Sequence, residues 1–507
     1  MNSVIETTLI VNKIESSFAS FFKTFQISSL FRQCRIEKKR GIPCPPLFTF
    51  VFLLIFTGKN LYRHFHPCSL PSTKRQQANA YGDDTVYRFL QDSTFHWKKF
   101  LTLLTKRIIR QFIQPLNEID RVTVLTIDDS LIKREESHEV ELLSKHFDHT
   151  SHQMVKGFNM LTLGYDDGST FLPIDFTLMS APKHYVNPWE SHQWKQDLHP
   201  SSLAYQRRNI STLPKPEVVK QMLSRAIQNG ITANYVLFDS WFSINQSLIK
   251  HIQKDTGMDV ICMLKRSKAY YGYQKKLLSL PSLFEACQKR YSKKVIALDD
   301  HTKLFGSLVV SLGKQSKRSN QQSGKEKQEN NGSNASKPEE LNDFLVKVVF
   351  VENRNKKSKR VWLALLSTDI SLSDEEIIRI YGKRWDIEVF FKSIKSLLRV
   401  EKEYQLRNFD SINAHISIVC CRYCYLSWLS RKQQDPRTLG DLFYQAWDEM
   451  EDIRFMEALE RIIKMFLVYL MEALPEAAMK IQELFTSFIK SLPCYILRSL
   501  DIISCGS

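Results

Sequence analysis

The chain has 507 residues, 43% of them hydrophobic and 11% aromatic, with 71 Lys and Arg against 54 Asp and Glu and a formal net charge of +17. This composition excludes a disordered chain and suffices for a large core in roughly two to four domains. Positive charge spread along the whole sequence favours an anionic partner, either nucleic acid or a membrane surface.

The N-terminal residues 1 to 115 read as helical. Their strongest apolar run, LFTFVFLLIFT at 47 to 57, is about half the roughly 20 residues needed to cross a bilayer, so a buried or interfacial helix is expected. No signal peptide is expected at the start of the chain. Downstream, STKRQQANAYGDDTVYRFLQDSTFHWKKFL combines basic residues, a Gly-Asp-Asp-Thr helix start and the apolar spacing Val86, Phe89, Leu90. A helix-turn-helix-like DNA reader has this pattern, and so does any small helical domain.

At residue 122 the period changes. VTVLTIDDSLI is rich in β-branched residues and predicts a strand ending near Asp128. The following stretch, with His146, His149 and His152, reads as a polar connector and not as a zinc site. Lys156 opens the next strand and is a candidate DNA contact. Two strand-like runs are then joined by Asp166-Asp167-Gly168, a hairpin signal because Gly accepts positive φ. A long polar loop carrying Arg207 and Arg208 leads to a helix at PEVVKQMLSRAIQNG, a strand at ANYVLFDSWF ending at Asp239, a helix, and a strand at MDVICMLK. The expected product is a mixed α/β sheet with Asp128 and Asp239 at strand ends, where such sheets expose their chemistry.

Residues 266 to 369 are again strand-like, interrupted at 314 to 340 by a polar, nearly apolar-free segment that reads as a disordered loop. Ser373 and Glu376 form a capping-box pattern that starts a helix. Along it Tyr381, Arg384, Glu388 and Lys395 fall on one face at about 100° per residue. Ile380, Ile387, Phe390, Phe391, Ile394, Leu397 and Leu398 make a separate apolar stripe. From 408 onward the chain reads as helical. Cys420, Cys421 and Cys424 lie in an apolar run and are expected as free buried thiols. Trp241 and Trp385 are expected in the core, with stacking on a displaced base as the alternative.

Asp128, Asp239 and Glu388, if brought together, form an oxygen-rich site suited to Mg²⁺ or Mn²⁺ and to in-line phosphoryl transfer. The order of Asp128 in TIDDS, Asp239 in LFDSWF and the spacing Y-x2-R-x3-E-x6-K from 381 to 395 resembles the DDE transposases of bacterial insertion sequences, specifically insertion sequence family four, over roughly 120 to 430. Asp129 adjoins Asp128, and Asp128 is preferred because with Ser130 it fits that family's D-x-S/T pattern.

The resemblance implies an RNase H-like catalytic core at 120–265 and 370–430 and a β-rich insertion at 266–369. A helical DNA-binding region at 1–115 and a helical C-terminal region at 431–507 flank them. Asp128, Asp239 and Glu388 would be catalytic and bind the metal, two Mg²⁺ or Mn²⁺ ions. Tyr381, Arg384 and Lys395 would hold phosphates of the transposon end. The implied partners are double-stranded DNA, as transposon ends and target, and a second copy of the chain in a homodimer. A cytoplasmic, nucleoid-associated location is expected, with no membrane. The rivals are an RNase H-like nuclease without strand transfer and a silent transposase-derived DNA-binding protein.

Overall fold

The computed structural model describes residues 16–65, 82–117, 121–148, 150–291, 295–297, 303–312, 344–353, 361–403, 406–432 and 437–491. The predicted loop 314–340, His149 and the basic segment 72–81 lie outside the described residues. In chain order the helices α1 Ser17–Thr24, α2 Ile27–Gln33, α3 Cys44–Leu54, α4 Leu61–Phe65, α5 Asp83–Gln91 and α6 Trp97–Ile108 come first. Strands β1 Val124–Lys133, β2 Ser144–Asp148, β3 Gln153–Asp166 and β4 Phe171–Met179 follow, then α7 Pro188–Asp197, α8 Leu203–Ser211 and α9 Lys215–Gln228. Next are β5 Tyr235–Phe238, α10 Gln246–Thr256 and β6 Asp259–Met263. The chain continues through β7 Tyr270–Tyr273, β8 Lys276–Ser279, α11 Leu280–Arg290, β9 Ile296–Ala297, β10 Lys303–Leu312, β11 Leu345–Glu352 and β12 Trp362–Ser367. It closes with α12 Asp374–Gly382, α13 Trp385–Ser396, α14 Phe409–Lys432, α15 Leu439–Ala473 and α16 Ala478–Ser491.

Among the described residues twelve strands join one mixed sheet in the order β2-β3-β1-β5-β6-β12-β11-β10-β7-β8, with β4 on β3 and β9 on β10. β1, β3 and β4 pair antiparallel, while β5 and β6 run parallel to β1. With helical N- and C-terminal regions on either side, this is the mixed α/β, RNase H-like architecture expected from the sequence. Strands β10 to β12 extend the same sheet, since β12 pairs antiparallel with β6. Alternation along the strands separates two cores: Val124, Leu237 and Ile261 face a cluster closed by Ile377 and Ile380 of α12, whereas Leu125, Val236 and Val260 face the larger one.

The β3–β4 hairpin forms as predicted, with Gly168 at φ +85 and its N–H bonded to Asp166 Oδ1 at 2.6 Å. Four expectations change. Asp128 lies inside β1 and not at its end, because pairing with β3 carries the strand on to Lys133. The polar connector with the histidines contains β2, where His146 bonds Ser144 Oγ at 2.9 Å. The polar loop before α9 holds two helices, α7 and α8, whose Arg207 and Arg208 are buried in ion pairs with Asp410 and Glu141. The single helix expected from 373 onward is two, α12 and α13, meeting at Lys383 and Arg384, where i→i−3 hydrogen bonds replace the α pattern. Its capping box is present, and its predicted apolar stripe is buried apart from Leu397, which is partly covered.

Helix α14 has every residue from Phe409 to Leu429 buried. Cys420, Cys421 and Cys424 are free thiols within it, as expected. Arg422 reaches from α14 to α3, donating Nε to the Phe52 carbonyl at 2.9 Å and Nη2 to Glu403 Oε1 at 2.7 Å, while His415 Nε2 pairs with Glu403 Oε2 at 2.9 Å. The apolar run at 47 to 57 is buried within α3 and the turn after it. Among the described residues no helix is long and apolar enough to cross a membrane.

Candidate active site

The site begins with register. The last paired residues of the parallel β1–β5 ladder are Ile127 and Phe238, so the next residues on the two neighbouring strands are Asp128 and Asp239. β5 stops there and its chain turns, with the Trp241 N–H bonded to Asp239 Oδ1 at 3.0 Å. On β1, Asp128 and Ser130 share one face because side chains alternate. That face meets α13. Arg384, at the α12–α13 junction, donates Nη1 to Asp128 Oδ2 at 3.0 Å and Nη2 to Glu388 Oε1 at 2.6 Å. Lys395, three turns along α13, donates to Ser130 Oγ at 2.8 Å.

One guanidinium therefore bridges a strand carboxylate and a helix carboxylate. Burial pushes the Asp128 carboxyl up to about 7, with Arg384 opposing and the neighbouring Asp239 adding to the rise. Burial also raises Asp239, and Asp129 adds to it. The Arg384 guanidinium stays charged against its own burial because Tyr381, Asp128 and Glu388 surround it. Tyr381 is raised by burial, its ring 5.8 Å from the Arg384 guanidinium carbon. Burial lowers the Lys395 ammonium.

Asp129 points to the opposite face, where it pairs with Lys215 of α9 at 2.9 Å. The Lys215 ammonium also sits 4.7 Å over the Trp241 ring. Sequence reading passed over Lys215, which lies in an ordinary Pro-flanked helix start whose register against β1 the sequence does not display. Trp241 and Trp385 are not in the core: they are 43% and 61% exposed. Lys156 donates to the Ser137 carbonyl at 2.9 Å, in the turn that follows β1.

Hard oxygen donors of this kind suit Mg²⁺ or Mn²⁺, and the buried negative charge of Asp128 and Asp239 calls for a positive neighbour. In this structure that neighbour is Arg384. Among the described residues no three acidic, His or Cys side chains are close enough together to hold a metal ion as they stand. The donor chemistry fits a divalent cation, with Arg384 at the point between Asp128 and Glu388 where its charge would act.

Two family models match this chain. A DDE superfamily endonuclease model covers residues 72–316, which include Asp128 and Asp239, and a transposase DDE domain model covers 215–425, which include Asp239 and Glu388. Together they support a DDE transposase and a nuclease-type enzyme. No curated protein matches the chain.

Proposed function

We propose that this protein is a transposase of the insertion sequence family four type, which binds the terminal inverted repeats of its element, cleaves the DNA and joins the freed 3′ ends to target DNA. The observation that carries this reading is the approach of three carboxylates from separate parts of the chain: Asp128 and Asp239 each follow the last pair of the parallel β1–β5 ladder, and Glu388 is tied to Asp128 through Arg384. Asp128, Asp239 and Glu388 would hold divalent ions, which would supply activation of the attacking water or 3′-hydroxyl and stabilisation of the leaving oxygen. Arg384 bridges Asp128 and Glu388 and orients the two carboxylates toward each other. Tyr381, whose ring lies 5.8 Å from the Arg384 guanidinium, Arg384 itself, and Lys395, which donates to Ser130, take the phosphates of the element end. The functional form is a homodimer that holds two ends in the cytoplasm, at the nucleoid.

The test uses a plasmid carrying the DNA that flanks the gene. With Mg²⁺, the native protein nicks at the element boundary and produces joined 3′ ends, detected by sequencing the junctions. Glu388→Gln and Asp239→Asn lower cutting by at least about 100-fold while end binding stays within about twofold. Native cutting rates in Glu388→Gln would refute the assignment. Cleavage with no joined product would reduce the protein to a nuclease.

A further inference from the structure

The Lys395 side chain that touches Ser130 beside the acidic site also lines a cavity of about 410 Å³. Two stretches remote in sequence build it: the turn after α3 and α4, with Lys59, Asn60 and Arg63, and the end of α13 with the turn that follows it, with Lys395, Arg399 and Lys402. Five of these six side chains are cationic. Among the described residues that line the cavity the acidic side chain is Glu403, and it is buried and committed to Arg422 and His415. Arg399 holds its place with a left-handed backbone, φ +47, a conformation that glycine takes far more readily than arginine. Cations gathered from two segments into one concavity repel one another and raise the local potential for an anion. A solvated basic surface has no need to be concave, nor to adjoin the site through a shared lysine.

We propose that this cavity is a phosphate-binding track for DNA, in which the backbone of a strand leaving the acidic site past Lys395 is held by Lys59, Arg63, Arg399 and Lys402. The inference rests on the reading that the protein acts on DNA. It extends the binding surface from the catalytic face to the helical N-terminal region, and makes the turn after α3 part of that surface. Recognition is by charge and by backbone geometry, so it is independent of base sequence.

The experiment uses the full chain and two probes, a 40-base-pair duplex of arbitrary sequence and its single strand, with binding followed by fluorescence anisotropy from 50 to 200 mM KCl. Arg63 and Arg399 are exposed, so Arg63→Gln/Arg399→Gln is expected to fold. Lys254→Gln/Lys480→Gln removes the same charge from exposed positions that do not line the cavity. The cavity pair should flatten the slope of log affinity against log salt by about 1.8 on duplex or about 1.4 on single strand, and weaken binding at least about tenfold at 100 mM salt. The control pair should leave the slope nearly unchanged. Equal slopes for the two pairs overturn the inference and leave the transposase reading standing. No binding of either probe by the native chain overturns both. Full competition by 10 mM inorganic phosphate at constant ionic strength would show a small-anion site instead, and overturns the track.

Discussion

Replacing Lys98 with methionine should stabilise this protein, and should do so in a pH-dependent way. Lys98 lies on α6, which packs the N-terminal helices onto β4, and its ammonium donates to Thr177 Oγ1 at 3.2 Å with the Phe176 ring centroid 5.6 Å away. Burial draws its pKa from 10.5 down to about 7, with Asp175 opposing and Arg225 and Arg207 adding to the fall. At about 1.36 kcal/mol per tenfold change in proton affinity, holding this charge in the fold costs about 5 kcal/mol at low pH. At pH 7, where half the folded molecules have released the proton, about 4 kcal/mol remains, and at pH 9 about 2. The sign follows from proton counts: between pH 7 and 10.5 the unfolded chain holds a proton that the folded chain has lost, so native stability rises with pH across that window. Met fills the same unbranched volume without a charge, and loses a hydrogen bond worth about 1 kcal/mol. Lys98→Met should therefore gain about 3 kcal/mol at pH 7 and about 1 kcal/mol at pH 9. Urea unfolding followed by tryptophan fluorescence at the two pH values measures both. An advantage equal at pH 7 and pH 9, or a less stable variant at pH 7, would refute the reasoning.

Three further outcomes are expected. Arg422→Met leaves Glu403 buried without its guanidinium, so stability should fall by about 3–5 kcal/mol, read from the urea midpoint, and Arg422→Met/Glu403→Leu should recover most of it. A Cβ on Gly157 would stand 2.3 Å from the Ile132 carbonyl oxygen, a backbone atom that cannot swing away, so Gly157→Ala should loosen the β1–β3 ladder and cost about 1–3 kcal/mol of stability, visible as lost amide protection in β1. Arg384→Ala leaves two carboxylates without their shared cation. In calorimetry Mg²⁺ affinity should stay within about threefold of native or rise, while affinity for element ends falls at least about tenfold and loses about one phosphate's worth of salt dependence.

Much of the architecture could be read from residue order. The β-branched runs gave β1, β5 and β6, the Asp-Asp-Gly turn gave the β3–β4 hairpin, and the Ser373–Glu376 capping box marked the start of α12 to the residue. These signals are local, so neighbouring residues suffice to create them. What failed was also consistent. Helix α8 was hidden in a polar stretch because its burial comes from Arg207 and Arg208, residues that look solvent-facing until Asp410 and Glu141 supply partners. Trp241 and Trp385 looked like core residues because large aromatic rings usually are, and only the tertiary arrangement shows them exposed beside the acidic groups.

By itself the sequence determined which residues could do chemistry and on which kind of element each would stand, because helix and strand periodicity follow from the order of side chains. Only the tertiary structure decided that Asp128 and Asp239 both follow the last pair of one parallel ladder, that the helix breaks at Lys383 and Arg384, and that one guanidinium joins Asp128 to Glu388 across 256 and 4 residues of chain. Contacts between segments so far apart depend on strand order and sheet register, which are set by the burial of the whole core and are written in no single stretch of the chain.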